Sequence, residues 1–405
     1  MPVNDLELKT FKAIVECIEE GSEKPSRAAI AKELGLSRTT ASNYVNKLIS
    51  AEILEELDSE SQGRGRPGKP LTLSTSKRYA IGAFFDEHDW YLSIVNLQGQ
   101  PVENLHYPIE RMTIDSFIQV LIGGIKHIQK KYGAQLLPAV GIGSPGVIDR
   151  KTGTIIKAVD LGWRDIPLGR IVQNQTGFSC YILNRYRATG LGEAQHGQGQ
   201  GVKDFIFIGI GTGMGSAIFI DGKLMFTTNI HTGGIGHIIV DPHGPYCSCG
   251  RKGCALPLAS TDALITNVLN SLADKTLLTQ TTLALQYATE KTLTLAQIMQ
   301  AAQDGDVFAQ QAVQTVADPM CQIIGHLITI INPKKIVLGG PMATSGNYYV
   351  DYIEKKVVND YLTPEIPIVQ GSMDVYTGAR GAASLVTKRV VELTFHTPDT
   401  WYLEQ

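Results

Sequence analysis

Residues Phe205–Ile220 read FIFIGIGTGMGSAIFI. Two apolar runs, FIFIGI and SAIFI, flank alternating glycines. A dinucleotide-binding loop needs a helix after its glycines, because the pyrophosphate sits on that helix's N-terminus. Here a second strand-like run follows, so the segment predicts a strand–turn–strand hairpin and rules out the dinucleotide reading. The glycines from Gly209 to Gly215 serve either a tight turn or a backbone cradle for phosphate. Their spacing alone leaves both open.

Outward from this hairpin, YAIGAFF, WYLSIVN, AVGIG, CYIL and KIVLGG also read as strands, while Thr113 to Lys131 and Asp306 to Ile331 read as helices. Strands alternating with helices predict an α/β class. The chain shows no internal sequence repeat and no long low-complexity tract. At 405 residues it exceeds one ordinary core, so more than one domain is expected. The net charge of −3 says nothing about partners; its distribution must. Asp5, Glu7 and Glu16 argue against a secretory leader, and the most apolar run, IIGHLITIIN, carries His326 and is too short to span a bilayer. Of six cysteines, Cys17, Cys180 and Cys321 are scattered, which suits a reducing cytoplasm.

Residues 1–58 predict three short helices. Leu8, Phe11, Ile14, Val15 and Ile18 recur at helical spacing; a second helix starts near Ser26 and stops at Gly35; Ser37 caps a third. Two helices joined by the tight ELGLS turn form a helix-turn-helix, whose second helix enters the DNA major groove. Its outer face carries Arg38, Thr39, Ser42, Asn43 and Asn46, short polar groups suited to base edges and phosphates. From Lys24 to Ser50 the bases, Arg27 among them, face the single acid Glu33. That local surplus of positive charge is what phosphate affinity requires, and Arg27 and Ser37 complete the candidate DNA-contact set. The basic, Gly/Pro-rich stretch 59–78 contains Arg64-Gly65-Arg66-Pro67; such arginines enter a narrow minor groove. A solvated linker or wing turn, and a small protein-binding bundle, are the plainer alternatives.

From Tyr79 onward the sequence resembles the ROK family of bacterial sugar kinases and repressors. The resemblance rests on GIGSPGVID (Gly141–Asp149), LGWRDIPL (Leu161–Leu168), GIGTGMGSAIFIDGKL (Gly209–Leu224), GGIGHIIVDPHGPYCSCGRKGC (Gly233–Cys254) and NPKKIVLGG (Asn332–Gly340). It implies two lobes of the actin-like ATPase type, 79–196 and 197–377, with 378–405 packing back on the first. A sugar would bind in the cleft with ATP beside it. Family repressors add a winged DNA-binding domain, assemble as dimers or tetramers, and are in some cases sequestered by a partner protein.

His237, Cys247, Cys249 and Cys254 supply one nitrogen and three thiolates, a closed tetrahedral set for structural zinc that leaves no position for a reactive water. Redox-active or merely buried cysteines are the alternative. The family also places His237 at the sugar, so the metal would position a binding loop and perform no reaction.

Against the kinase pattern the chain departs at several points. The family's general base is an aspartate after an asparagine; here Asn184 is followed by Arg185, which cannot accept a proton. Phe84 replaces the aspartate of the first phosphate hairpin, and Asp86, Glu87, His88 and Asp89 cross its turn. Gly234 and Leu256 stand where two sugar-facing glutamates are expected, and Asp160 where an asparagine is. Ser144, Gly146, Asp160, Asn184, Arg185 and His237 remain as candidate effector contacts. Arg185 either pairs with a local acid, such as Asp160 or Glu193, or holds an anionic sugar phosphate or sugar acid. The expectation is a cytoplasmic, sugar-responsive DNA-binding regulator, most simply a repressor, on a silent kinase body. The competing readings are a bifunctional sugar kinase and a regulator controlled by protein docking.

Overall fold

A capping box opens the chain: the Asn4 side chain accepts the Glu7 N–H while Glu7 reaches back to Asn4, starting α1 (Asp5–Glu20). Ser26 caps α2 (Arg27–Glu33), and Ser37 caps α3 (Arg38–Ser50) by accepting the Thr40 N–H at 3.0 Å. Gly35 makes the turn between them at φ +65°, a conformation that suits glycine. Phe11, Ile14, Ile30, Val45 and Leu48 are fully buried between the three helices. An antiparallel ribbon, β1 (Leu54–Glu56) with β2 (Leu71–Leu73), closes the unit as a winged helix-turn-helix. The computed structural model describes residues 3–21, 23–58, 68–86, 89–225, 233–273, 281–361 and 366–395. Arg64, Arg66, Glu87 and His88 lie outside these, as does the Asp160 side chain.

The first lobe contains β3 (Tyr79–Asp86), β4 (Asp89–Asn96), β5 (Pro101–Pro108), α4 (Ile114–Tyr132), β6 (Leu136–Ser144), the small antiparallel sheet β7 (Val147–Asp149), β8 (Thr154–Ala158) and β9 (Trp163–Ile166), then α5 (Leu168–Thr176) and β10 (Ser179–Asn184). Next comes α6 (Arg185–His196), which leads to the second lobe. There the order is β11 (Phe205–Ile210), β12 (Met214–Ile220), β13 (Lys223–Leu224), α7 (Leu256–Ala259), α8 (Thr261–Leu272), α9 (Thr282–Glu290), α10 (Leu295–Gln303), α11 (Val307–Ile331), β14 (Lys335–Gly339), α12 (Pro341–Thr344), α13 (Tyr348–Tyr361) and β15 (Ile368–Gln370).

The two main sheets run β5-β4-β3-β6-β10 and β13-β12-β11-β14-β15. Each is an antiparallel meander followed by two parallel strands. One topology is therefore built twice, although the sequence carries no visible repeat. The fully buried strand interiors, such as all of β11, read as unbroken apolar runs because both faces are covered.

Helices α6 and α14 (Thr377–Thr387) lie between the sheets. They approach closely because Gly82, Gly141, Gly190 and Gly381 carry no Cβ; a methyl on any of them would strike the facing helix or strand. The described residues end in α15 (Val390–Phe395), which packs on α1 through the Phe11 and Phe395 rings, 4.7 Å apart, and a 2.6 Å Lys12–Glu392 ion pair. Among the described residues no helix is long and apolar enough to cross a membrane.

Candidate functional site

The cysteine loop hangs below the second-lobe hairpin. Ser216 of β12 donates its N–H to Gly233 C=O at 2.8 Å, fixing the turn that carries His237. Two isolated bridges, Ile239↔Cys254 and Tyr246↔Lys252, fold the rest back on itself. Gly250 and Gly253 make the returns at φ +92° and +75°. This geometry brings His237 Nδ1 within 3.5 Å of Cys247 Sγ, and Cys249 Sγ within 3.7 Å of Cys254 Sγ. All four donor atoms lie within 4.8 Å of one another. Sulfurs about 3.7 Å apart are what tetrahedral bonds of about 2.3 Å produce, and are too far apart for a disulfide at about 2.05 Å.

The electrostatics agree. Burial pushes the Cys254 thiol up to about 12, helped by the neighbouring thiols. At Cys249 burial acts the same way, but the hydrogen bonds from Arg251 outweigh it and draw the thiol down to about 7. Crowded thiols oppose one another's ionisation, and a dication removes that opposition. The four residues therefore fit a metal ion.

At the cleft, Asn184 ends β10 and caps α6. Its Oδ1 accepts the Tyr186 N–H at 2.9 Å and its Nδ2 donates to Gly146 C=O at 2.8 Å. Arg185 follows at the first position of α6, where the helix dipole disfavours a cation. Its Nη1 lies 3.3 Å from Asp86 Oδ1 and its Nη2 donates to Tyr186 Oη at 3.1 Å. The acid beside Arg185 is thus on the β3–β4 hairpin. Glu193, expected as a partner, is not one: its carboxylate accepts the N–H groups of Ser372 and Gln198. Arg187 is buried, and burial together with the charge of Arg150 lowers it to about 10.

Phe84 is buried with Ala188, Ala379 and Ala382. A methyl on Gly143 or Gly378 would overlap its ring, so Phe84 is a core residue. Across the turn, Asp89 pairs with His106 at 3.0 Å and accepts Tyr91 Oη. Ser144 is fully buried, and its hydroxyl faces the Pro145 carbonyl at 3.4 Å. His237 turns its Nδ1 to the cysteine cluster.

On the head, Arg38, Thr39 and Asn43 are exposed and Ser42 is half-buried. Arg27 and Asn46 are engaged with each other: Arg27 Nη1 donates to Asn46 Oδ1 at 2.7 Å, and Arg27 also pairs with Glu56. Arg27 thereby ties α2 to α3 and to β1. Sequence reasoning missed Tyr186, whose ring meets Gly209 and Gly215 of the second lobe, and named Glu193 only as a partner for Arg185.

A winged helix-turn-helix on two lobes of one repeated topology defines the class: a DNA-binding-type head joined to an actin-like body of the sugar-kinase kind. The ROK family model matches residues 87–389, and the chain belongs to the ROK family. It is 26% identical over 371 residues to the DNA-binding transcriptional dual regulator NagC of Escherichia coli, covering 90% of this chain and 89% of that one. A glucokinase of Halalkalibacterium halodurans is 33% identical over 231 residues, covering 57% of this chain and 69% of its own length. The crystal structure of a ROK family transcriptional regulator, homolog of the E. coli MLC protein, superposes with a TM-score of 0.81 at 23% identity, covering 97% and 98%, which shows the fold.

Proposed function

We propose that the chain is a transcriptional regulator, a repressor of carbohydrate uptake or metabolism genes, whose hold on DNA is set by a sugar or sugar phosphate in a cleft that performs no phosphorylation. One observation carries this reading: Arg185, which the family resemblance puts in the place of the proton acceptor, is held by Asp86 and Tyr186. Loss of a general base typically costs about 10²–10⁴-fold in rate. Support comes also from the regulator relative, which is matched along nearly the whole chain, whereas the glucokinase is matched over little more than half.

The exposed Arg38, Thr39 and Asn43, with Ser42, read a half-site, and Arg64 and Arg66 reach the minor groove. Two heads of a homodimer, or of paired dimers in a tetramer, meet half-sites about 34–36 Å apart. His237, Cys247, Cys249 and Cys254 hold one structural zinc, which stiffens the loop and performs no chemistry. Ser144, Gly146, Asp160, Asn184, Arg185 and His237 are the effector contacts on this reading. The protein works in the cytoplasm, where its thiols stay reduced.

The test is fluorescence anisotropy of the purified zinc-loaded chain on DNA upstream of its neighbouring genes. Neutral sugars, polyols and their phosphates are added in turn, beside a coupled ATP-consumption assay on the same panel. Sugar-dependent release without ATP turnover is expected. Sugar-dependent ATP consumption would establish the bifunctional kinase instead. Binding unmoved by any sugar, but released by an extract protein, would establish control by docking.

A further inference from the structure

The ring of Tyr186 lies against Gly209 and Gly215, which face each other across the β11–β12 ladder. A methyl on either glycine would overlap the ring. Neither glycine has a positive φ, so neither is needed for a turn. The turn is tightened further out, where the Gly211 N–H donates to Gly213 C=O at 2.9 Å. The absent Cβ atoms at 209 and 215 therefore make room for an aromatic ring. Beyond the ring, Tyr186 Oη accepts from Arg185, and Arg185 reaches Asp86 at the end of β3.

Three residues of this chain thus join the two hairpins that a phosphate cradle would use, one from each lobe. A triphosphate needs close backbone approach at a glycine hairpin and cations or free N–H groups around its oxygens. Here an aromatic ring covers the glycine pair of one hairpin, and at the other Asp86 pairs with Arg185 and Asp89 with His106.

We propose that Tyr186 is the specificity-determining residue of the cleft: its ring, braced by Arg185, fills the phosphate end, so that the cleft takes a polyhydroxy carbohydrate and excludes nucleoside triphosphates. This rests on the cleft being the ligand site assigned above, but the exclusion of nucleotide is measured separately from the response to sugar. Isothermal titration of the full zinc-loaded chain with a non-hydrolysable ATP analogue and Mg²⁺ tests it. The wild type should show no saturable binding. Tyr186→Ala, checked for folding by its melting curve, should gain saturable binding at least about tenfold tighter than any residual wild-type signal. Tyr186→Phe keeps the ring and should still exclude the nucleotide. If the alanine chain does not fold, Tyr186→Val opens part of the space and gives the same readout. Saturable binding by the wild type overturns the proposal, and so does a folded alanine or valine variant that binds no nucleotide. A wild type that binds neither sugar nor nucleotide counts against the sugar-responsive reading and leaves the role of Tyr186 to be decided by the variants.

Discussion

Replacing Glu193 by alanine probes how the lobes are joined. Its carboxylate is 1% exposed and accepts the Ser372 N–H at 2.6 Å and the Gln198 N–H at 2.8 Å. Gln198 lies where the chain leaves for the second lobe, and Ser372 where it returns. One side chain therefore ties both crossings. Alanine strips the acceptor from two part-buried donors, each worth ~1–3 kcal/mol when left unmade. Relief of a buried charge and entry of water into the vacated space both pull toward the low end. About 1.5 kcal/mol per amide remains, roughly a tenfold rise in local opening. Hydrogen exchange read by mass spectrometry should speed by about that factor in peptides containing Gln198 and Ser372, while those of β6 and β11 keep their rates. Glu193→Gln retains one acceptor oxygen and turns an NH₂ toward the other amide, so only one crossing should loosen. Unchanged exchange at both crossings in a folded alanine variant would refute the tie.

Arg38→Ala should weaken operator binding and, if the contact is to phosphate, lower the salt slope by about one, with the body's melting unchanged; anisotropy across a salt series reads it. A dye assay after thiol blocking should find one zinc per chain. Chelation should lower the melting temperature and blunt the sugar response, and acidification should release the metal as the thiolates take up protons. Asp306 caps α11 and accepts from Thr281, Thr282 and Ala309. Burial alone would raise its carboxyl, but these bonds outweigh it and hold the group below its ordinary value. Its stabilisation is therefore present above the unfolded value of about 3.9 and lost as pH falls through the lower folded one. Asp306→Asn should flatten the decline in urea midpoint below about pH 4.

The head was legible because its signals are local: Ser26 and Ser37 cap, Gly35 breaks, and apolar residues recur on one face. The edge strand β5 was not, because Pro101 and Pro108 bound a polar alternation, PVENLHYP, that also reads as loop. The doubled topology left no trace because the lobes share backbone connectivity and not side chains. The four metal donors sit within one short stretch and could be named together. The cleft was harder: Arg185 finds Asp86 99 positions away, a distance no spacing rule spans. The glycines read equally as a tight turn or a phosphate cradle, and only the fold shows the Tyr186 ring against Gly209 and Gly215. Ser144 was named from its motif, and its burial becomes visible only once β6 is placed between β10 and β3.

On the proposed reading, the route from cleft to operator follows from how the head is fastened. A head hanging on residues 59–78 alone would answer a sugar by a change of freedom. The structure instead holds it to the first lobe at two places. Phe11 and Lys12 of α1 meet Phe395 and Glu392 of α15, while Gln98 donates to Leu73 C=O and Arg78 to Ala134 C=O on the ribbon side. Helix α14, which precedes α15, is itself seated on β3 and β6 against Gly82 and Gly141. On the proposed reading the head, so fastened, travels with the first lobe as one body. Closing the cleft moves that body relative to the second lobe, so two heads change their separation only where the dimer is held through second lobes. A sugar drives this change only by its difference in affinity between open and closed forms. A dimer held through first lobes would keep its half-site spacing whatever filled the cleft.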